Sequence, residues 1–118
     1  MYTFYEYPKC TTCKRAKTEL KSLVTNFEDF DIKANPPKSD VLKQWIETSD
    51  YSIKNFFNTS GHAYRELGLK DKVDSLSIDE AAELLSTDGM LIKRPILIKD
   101  GKVLQVGYRK SYKDLFLD

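Results

Sequence analysis

The first 32 residues permit few arrangements. "YTFYEY" (Tyr2–Tyr7) alternates, is rich in aromatics and is stopped by Pro8, so it reads as a strand. Cys13, Ala16, Lys17, Leu20 and Leu23 then recur at helical spacing, which predicts a helix from about Thr11 to Val24. "FEDFDI" (Phe27–Ile32) is a second short strand. A strand, a helix and a strand joined by so little chain form a right-handed parallel crossover. Any fold for this chain must contain that unit.

The remainder has to pack on it. "KANPPKSD" is a connection punctuated by Pro36 and Pro37. Ser39 is placed to cap a helix that carries Val41, Leu42, Trp45 and Ile46 on one face. "SIKNFF" reads as a short turn or helix, and "HAYRELGL" as a helix stopped at Gly68. "SIDE" (Ser77–Glu80) matches a capping box, with Ile78, Ala81, Leu84 and Leu85 behind it. "RPILIK" and "KVLQVGY" flank Asp100-Gly101, a two-residue hairpin signal, and "RKSYKDLFL" closes the chain as an amphipathic helix. The order is strand, helix, strand, a block of helices, a hairpin and a final helix. That order predicts an α/β fold, a small mixed sheet with helices on its faces. A length of 118 residues suits one domain, with a monomer as the default.

Charge excludes some functions. With 19 basic and 18 acidic residues the formal net charge is +1, too little for a global pull toward nucleic acid or an anionic membrane. No apolar run approaches the roughly 20 residues of a membrane helix. The N-terminus has no basic segment followed by an apolar one, so no signal peptide is expected. The expectation is a cytoplasmic protein with no membrane and no direct nucleic-acid partner.

The two cysteines, Cys10 and Cys13, stand two residues apart in "YPKCTTCKRAK". A structural zinc site needs four ligands, and His62 is the sole histidine, so the metal reading is poor. A disulfide across so short a loop adds little stability. The third reading is redox chemistry. Cys10 falls where a helix begins, and the free N–H groups and dipole of that end favour a thiolate. Lys9, Lys14, Arg15 and Lys17 add positive charge nearby, though Lys14, Arg15 and Lys17 also fit the solvated face of the first helix. On this reading Cys10 is the nucleophile. Cys13, one turn further in, is the resolving thiol that attacks a mixed disulfide at Cys10. Such a pair beside a strand–helix–strand unit is a thioredoxin-like signal. "CTTC" nevertheless lacks the Trp-Cys start and Gly-Pro spacer of thioredoxin itself, and the helical block is too long for a plain thioredoxin.

Other residues allow two readings. Arg94, in Lys93-Arg94-Pro95, is either part of a basic loop before an edge strand or a planar fork aimed at an anion beside Cys10. Lys54 and Arg109 are candidate anion contacts, against a background in which most such side chains are simply solvated. His62 fits a helix start, and Trp45 fits the core.

Taken together, "YPKCTTCKRAK", "SIKNFFNTSGHAYRELGL" and "LIKRPILIKDGKVLQVGY" resemble the arsenate-reductase-like (ArsC/Spx) family, in its order and across essentially the whole chain. The resemblance implies a thioredoxin-like mixed sheet of about four strands in a single domain over 1–118, with a helical insertion at roughly 38–90. It implies Cys10 as the attacking thiol, and Arg94 and Pro95 as the family's second arginine and cis-proline. Lys54 stands where the family's first oxyanion-binding arginine falls, keeping the charge without the fork. Arg109 is the counterpart of the third. The reductase branch implies an oxyanion or disulfide substrate and no bound cofactor. Electrons then come from an external thiol, glutaredoxin with glutathione or thioredoxin. The Spx branch implies a redox-sensing regulator that binds the C-terminal domain of the RNA polymerase α subunit.

Overall fold

The structure, a computed structural model, describes residues 1–116. Four strands, β1 (Tyr2–Glu6), β2 (Phe27–Asp31), β3 (Ile96–Lys99) and β4 (Lys102–Val106), form one sheet in the order β2-β1-β3-β4. β1 runs parallel to β2, with Tyr2 opposite Phe27, and antiparallel to β3, with Tyr2 opposite Lys99. β3 and β4 pair antiparallel. The expected mixed sheet is therefore present, and its parallel pair is the predicted crossover, closed by α1 (Thr11–Leu23).

Asp100 and Gly101 turn the hairpin with φ of 50° and 83°. A two-residue turn whose twist matches the strands needs positive φ at both positions. The ladder then slips, because Ile98 faces Val103 while Leu97 faces Gln105. Leu104 is the extra residue of this bulge, and Leu104 and Gln105 together meet the α1 side of the sheet.

The block between β2 and β3 contains α2 (Ser39–Thr48), α3 (His62–Glu66) and α4 (Ile78–Ser86), joined by 3-10 turns. It packs on one face through Leu42, Trp45, Phe56, Leu85, Ile96, Ile98 and Val103. On the other face Phe4, Leu97, Ala16, Leu20 and Tyr112 join α1 to α5 (Tyr112–Leu115). Two helical layers thus sandwich the sheet. Among the described residues, no helix is long and apolar enough to cross a membrane.

Several local expectations are met. The Ser77 hydroxyl accepts from the Glu80 N–H at 3.1 Å, and the Glu80 carboxylate accepts from the Ser77 N–H at 2.9 Å. Gly68 adopts φ of 63° just after α3. Two differ. Ser39 is not a cap: α2 begins at Ser39 itself, behind Lys38, with no side-chain cap bond. The Asp40 carboxylate accepts from the Val41 N–H at 2.9 Å, so an orphan donor of the first turn is met one residue later. The final helix is also shorter than its pattern, because residues before Tyr112 are drawn into the turns described below. Leu117, the end of that pattern, lies outside the described residues.

Gly89 holds the helical block against the sheet. It is buried, and a Cβ built on it would lie 1.9 Å from the Ile32 carbonyl oxygen, just past β2.

Candidate active site

Pro8 stops β1 and forces a turn, in which the Cys10 N–H donates to the Tyr7 carbonyl at 2.9 Å. Cys10 then becomes the N-cap of α1, with extended backbone (φ −88°, ψ 121°). Its Sγ accepts from the Cys13 N–H at 3.4 Å, the place an N-cap oxygen would take. Cys10 is half-buried and Cys13 is 0% exposed; both are free thiols.

The two thiols ionise very differently. Burial opposes a charge on Cys10. The Cys13 N–H, the Cys13 thiol and the Arg94 guanidinium outweigh it, and the Cys10 pKa is lowered. For Cys13 burial dominates, and the thiolate form of Cys10 adds to it, so its pKa is pushed up to about 12. The thiol at the helix start is thus the one that ionises more readily, while the other stays protonated behind it.

Two contacts hold Arg94 in place. Its guanidinium lies 5.4 Å from the centre of the Tyr7 ring, and its Nη1 donates to the Met90 carbonyl at 3.4 Å. The Arg94-Pro95 peptide bond is cis. Cys10 opens into a cleft of about 510 Å³ whose walls include Thr12, Arg15, Arg94, Tyr108 and Arg109.

The opposite wall comes from the C-terminal segment. Gly107, with φ of 78°, turns the chain after β4. The Gln105 amide, 3% exposed, accepts from the N–H groups of Arg109 and Lys110 at 3.1 and 2.8 Å and donates to the Lys110 carbonyl at 3.1 Å. From α1, the Glu19 carboxylate accepts from the Tyr108 hydroxyl at 2.7 Å, the Ser111 hydroxyl and the N–H groups of Tyr112 and Lys113. Burial opposes the Glu19 charge, yet these donors hold its pKa below the usual carboxylate range. Arg15 stacks over the Tyr108 ring at 5.7 Å.

Of the residues singled out in the sequence, Cys10, Arg94 and Arg109 meet in this cleft, and Cys13 lies buried behind Cys10. Lys54 does not line it. Lys54 lines an adjoining pocket of about 210 Å³ that shares Lys93 and Arg109 with the cleft. Lys17 is a correction: its ammonium lies 2.9 Å from Glu6 and 2.6 Å from Asp29 and adds no free charge to the cleft. There burial, with the hydrogen bond to Asp29, raises the Glu6 carboxyl to about 7. Lys9 and Lys14 are exposed, which leaves Arg15 as the member of that basic run in the wall. His62 pairs with Glu66 at 3.0 Å. Tyr108, Glu19 and Gln105 were missed, and the one local sign of them is Gly107 at the end of "LQVG".

Arg94→Met should raise the Cys10 pKa, since it removes both a donor and a positive charge from the thiolate. The pH profile of iodoacetamide alkylation checks this. The midpoint should move up, and the rate near neutral pH should fall. An unmoved midpoint would assign the lowering to the Cys13 N–H and thiol without Arg94.

A sequence model of the ArsC family matches residues 5–114. The chain is 48% identical over 109 residues to the uncharacterized protein YusI of Bacillus subtilis strain 168, covering 92% of each. It is 28% identical over 117 residues to the global transcriptional regulator Spx of Lactiplantibacillus plantarum, covering 99% of this chain and 86% of that one. The crystal structure of a Streptococcus mutans UA159 protein, described as a possible arsenate reductase, superposes with a TM-score of 0.94 at 59% identity. The match covers 98% of this chain and 97% of that one.

Proposed function

The chain belongs to the ArsC family, and from that membership we propose that it is a thiol–disulfide oxidoreductase of arsenate-reductase-like type. The observation that carries this reading is the asymmetry of the two thiols, Cys10 lowered at a helix N-terminus beside Arg94 and Cys13 raised behind it.

The Cys10 thiolate attacks one sulfur of a disulfide. A Cys10–substrate disulfide forms, the substrate's own S–S bond breaks, and the departing thiolate takes a proton from solvent. Cys10 then carries no negative charge. The part of the Cys13 shift that comes from Cys10 disappears, and the second thiol becomes easier to ionise. Cys13 attacks Cys10 Sγ, forms the Cys10–Cys13 disulfide and expels the second substrate thiolate. The protein dithiol has lost two electrons and the substrate has gained them. With arsenate the same two electrons reduce the oxyanion to arsenite as water leaves. An external thiol, glutaredoxin with glutathione or thioredoxin, then restores the dithiol. Arg94 and Arg109, which line the cleft with Cys10, hold the anion there, while Lys54 stands in the adjoining pocket.

The assay supplies reduced protein, arsenate or hydroxyethyl disulfide, and each reductant in turn, and follows NADPH. Turnover that depends on Cys10 is expected with at least one pair. Its absence would overturn the enzyme reading in favour of a second one, which the likeness to Spx supports: a redox-sensing regulator. That protein would bind the C-terminal domain of the RNA polymerase α subunit, with an affinity that changes once on oxidation and no reductant consumed beyond that.

A further inference from the structure

Five cations line two adjoining concavities. Arg15, Arg94, Lys93 and Arg109 surround the Cys10 cleft, and Lys93 and Arg109 continue into the smaller pocket beside Lys54. No aspartate or glutamate lines either one. None of the five is in an ion pair among the described residues. In a chain of 19 basic and 18 acidic residues, this is strong local segregation of charge.

The shape exceeds what a small oxyanion needs. The cleft alone, at about 510 Å³, lies within the usual range for small-molecule sites, about 300–1,000 Å³. A five-atom oxyanion held at Cys10 by Arg94 would leave the Lys54 pocket unused. That pocket also carries polar groups, from Tyr51 and Thr59, suited to an anionic head.

We propose that the substrate is a disulfide one half of which bears a carboxylate or phosphate several atoms from its sulfur. The sulfur meets Cys10, and the anion sits among Lys54, Lys93 and Arg109. This rests on the thiol–disulfide reading and specifies its substrate class. Cys10 forms the mixed disulfide with the anionic half, and the other half leaves as a thiolate and is protonated. Cys13 then loses its proton and displaces the anionic half, the Cys10–Cys13 disulfide forms, and the expelled thiolate takes up a proton. An external dithiol returns the two electrons.

A charge series tests it. Reduced protein is mixed with dithiodipropionate, hydroxyethyl disulfide or cystamine, which carry two carboxylates, no charge and two ammonium groups. Coenzyme A disulfide and its uncharged counterpart pantethine form the phosphate arm. Cys10 consumption is followed by stopped flow at low and high salt. The anionic probe of at least one arm should react at least about tenfold faster than the neutral one at low salt, with cystamine slowest, and salt should shrink the gap. The faster arm identifies the anion. The anionic-to-neutral rate ratio should fall about fivefold in Lys54→Gln and further in Lys54→Glu, and recover in Lys54→Arg. Equal rates across the series would overturn the proposal alone, as would a ratio untouched by all three Lys54 variants. No reaction with any disulfide would remove the thiol–disulfide reading beneath it.

Discussion

Cys10→Ser should lower disulfide exchange at least about a thousandfold, because a serine hydroxyl stays protonated where the thiol ionises. The N-cap bond, the helix end and Arg94 would still be present, with no nucleophile for them to stabilise. Cys13→Ser should behave oppositely. The first attack needs Cys10 alone, so the initial burst survives, and a mixed disulfide at Cys10 accumulates because nothing behind it can displace the substrate. Intact-mass spectrometry of quenched samples separates the two variants. The serine at 10 should show no adduct, and the serine at 13 should show one adduct of the substrate half's mass. If Cys13→Ser turns over at the parent rate, an external thiol resolves the adduct and the role assigned to Cys13 is wrong.

Gly89→Ala should give a second large effect, on stability rather than chemistry. The new Cβ would lie 1.9 Å from the Ile32 carbonyl oxygen and 2.7 Å from its carbonyl carbon. Both are backbone atoms, so no side chain can rotate away. Ile32 is fully buried, and its N–H donates to the Glu6 carbonyl at 2.7 Å. The strain must therefore move either the end of β2 or the turn leading to β3. Overpacking in a close-packed core costs about 1–3 kcal/mol and occasionally more; with backbone on both sides the upper end applies. At about 4 °C per kcal/mol for a chain of this size, the melting temperature should drop about 12 °C. A drop under about 3 °C would mean that the turn relaxes freely and that the tight approach is not required.

What could be read beforehand follows from the range of each interaction. The crossover, the hairpin and the Ser77–Glu80 box are written in neighbouring residues, because periodicity and turn chemistry are local. Ser39 misled as a cap because Asp40, one residue on, meets an open donor equally well. Lys17 misled because closeness to Cys10 in sequence says nothing of the Glu6 and Asp29 carboxylates that the sheet brings to it. Sequence alone left Arg94 between a bland loop and an anion contact, and the folded geometry sets it beside Cys10. The wall of Tyr108 and Arg109 was the least legible. Its clamp joins Glu19 to residues 89 to 94 positions away, and no local pattern encodes such a pairing.

That clamp also makes the end of the chain structurally indispensable to its beginning. The helix that starts at Cys10 grips the segment carrying Arg109 through Glu19, while Gln105 grips the same segment from the sheet. Cys10 and the cation across the cleft from it are thus tied by a short strut, outside the sheet's own framework. A chain cut after Val106 would retain all four strands and both thiols, yet Cys10 would face water where its second wall had been. Fusion partners and deletions at this end therefore act on the Cys10 cleft itself.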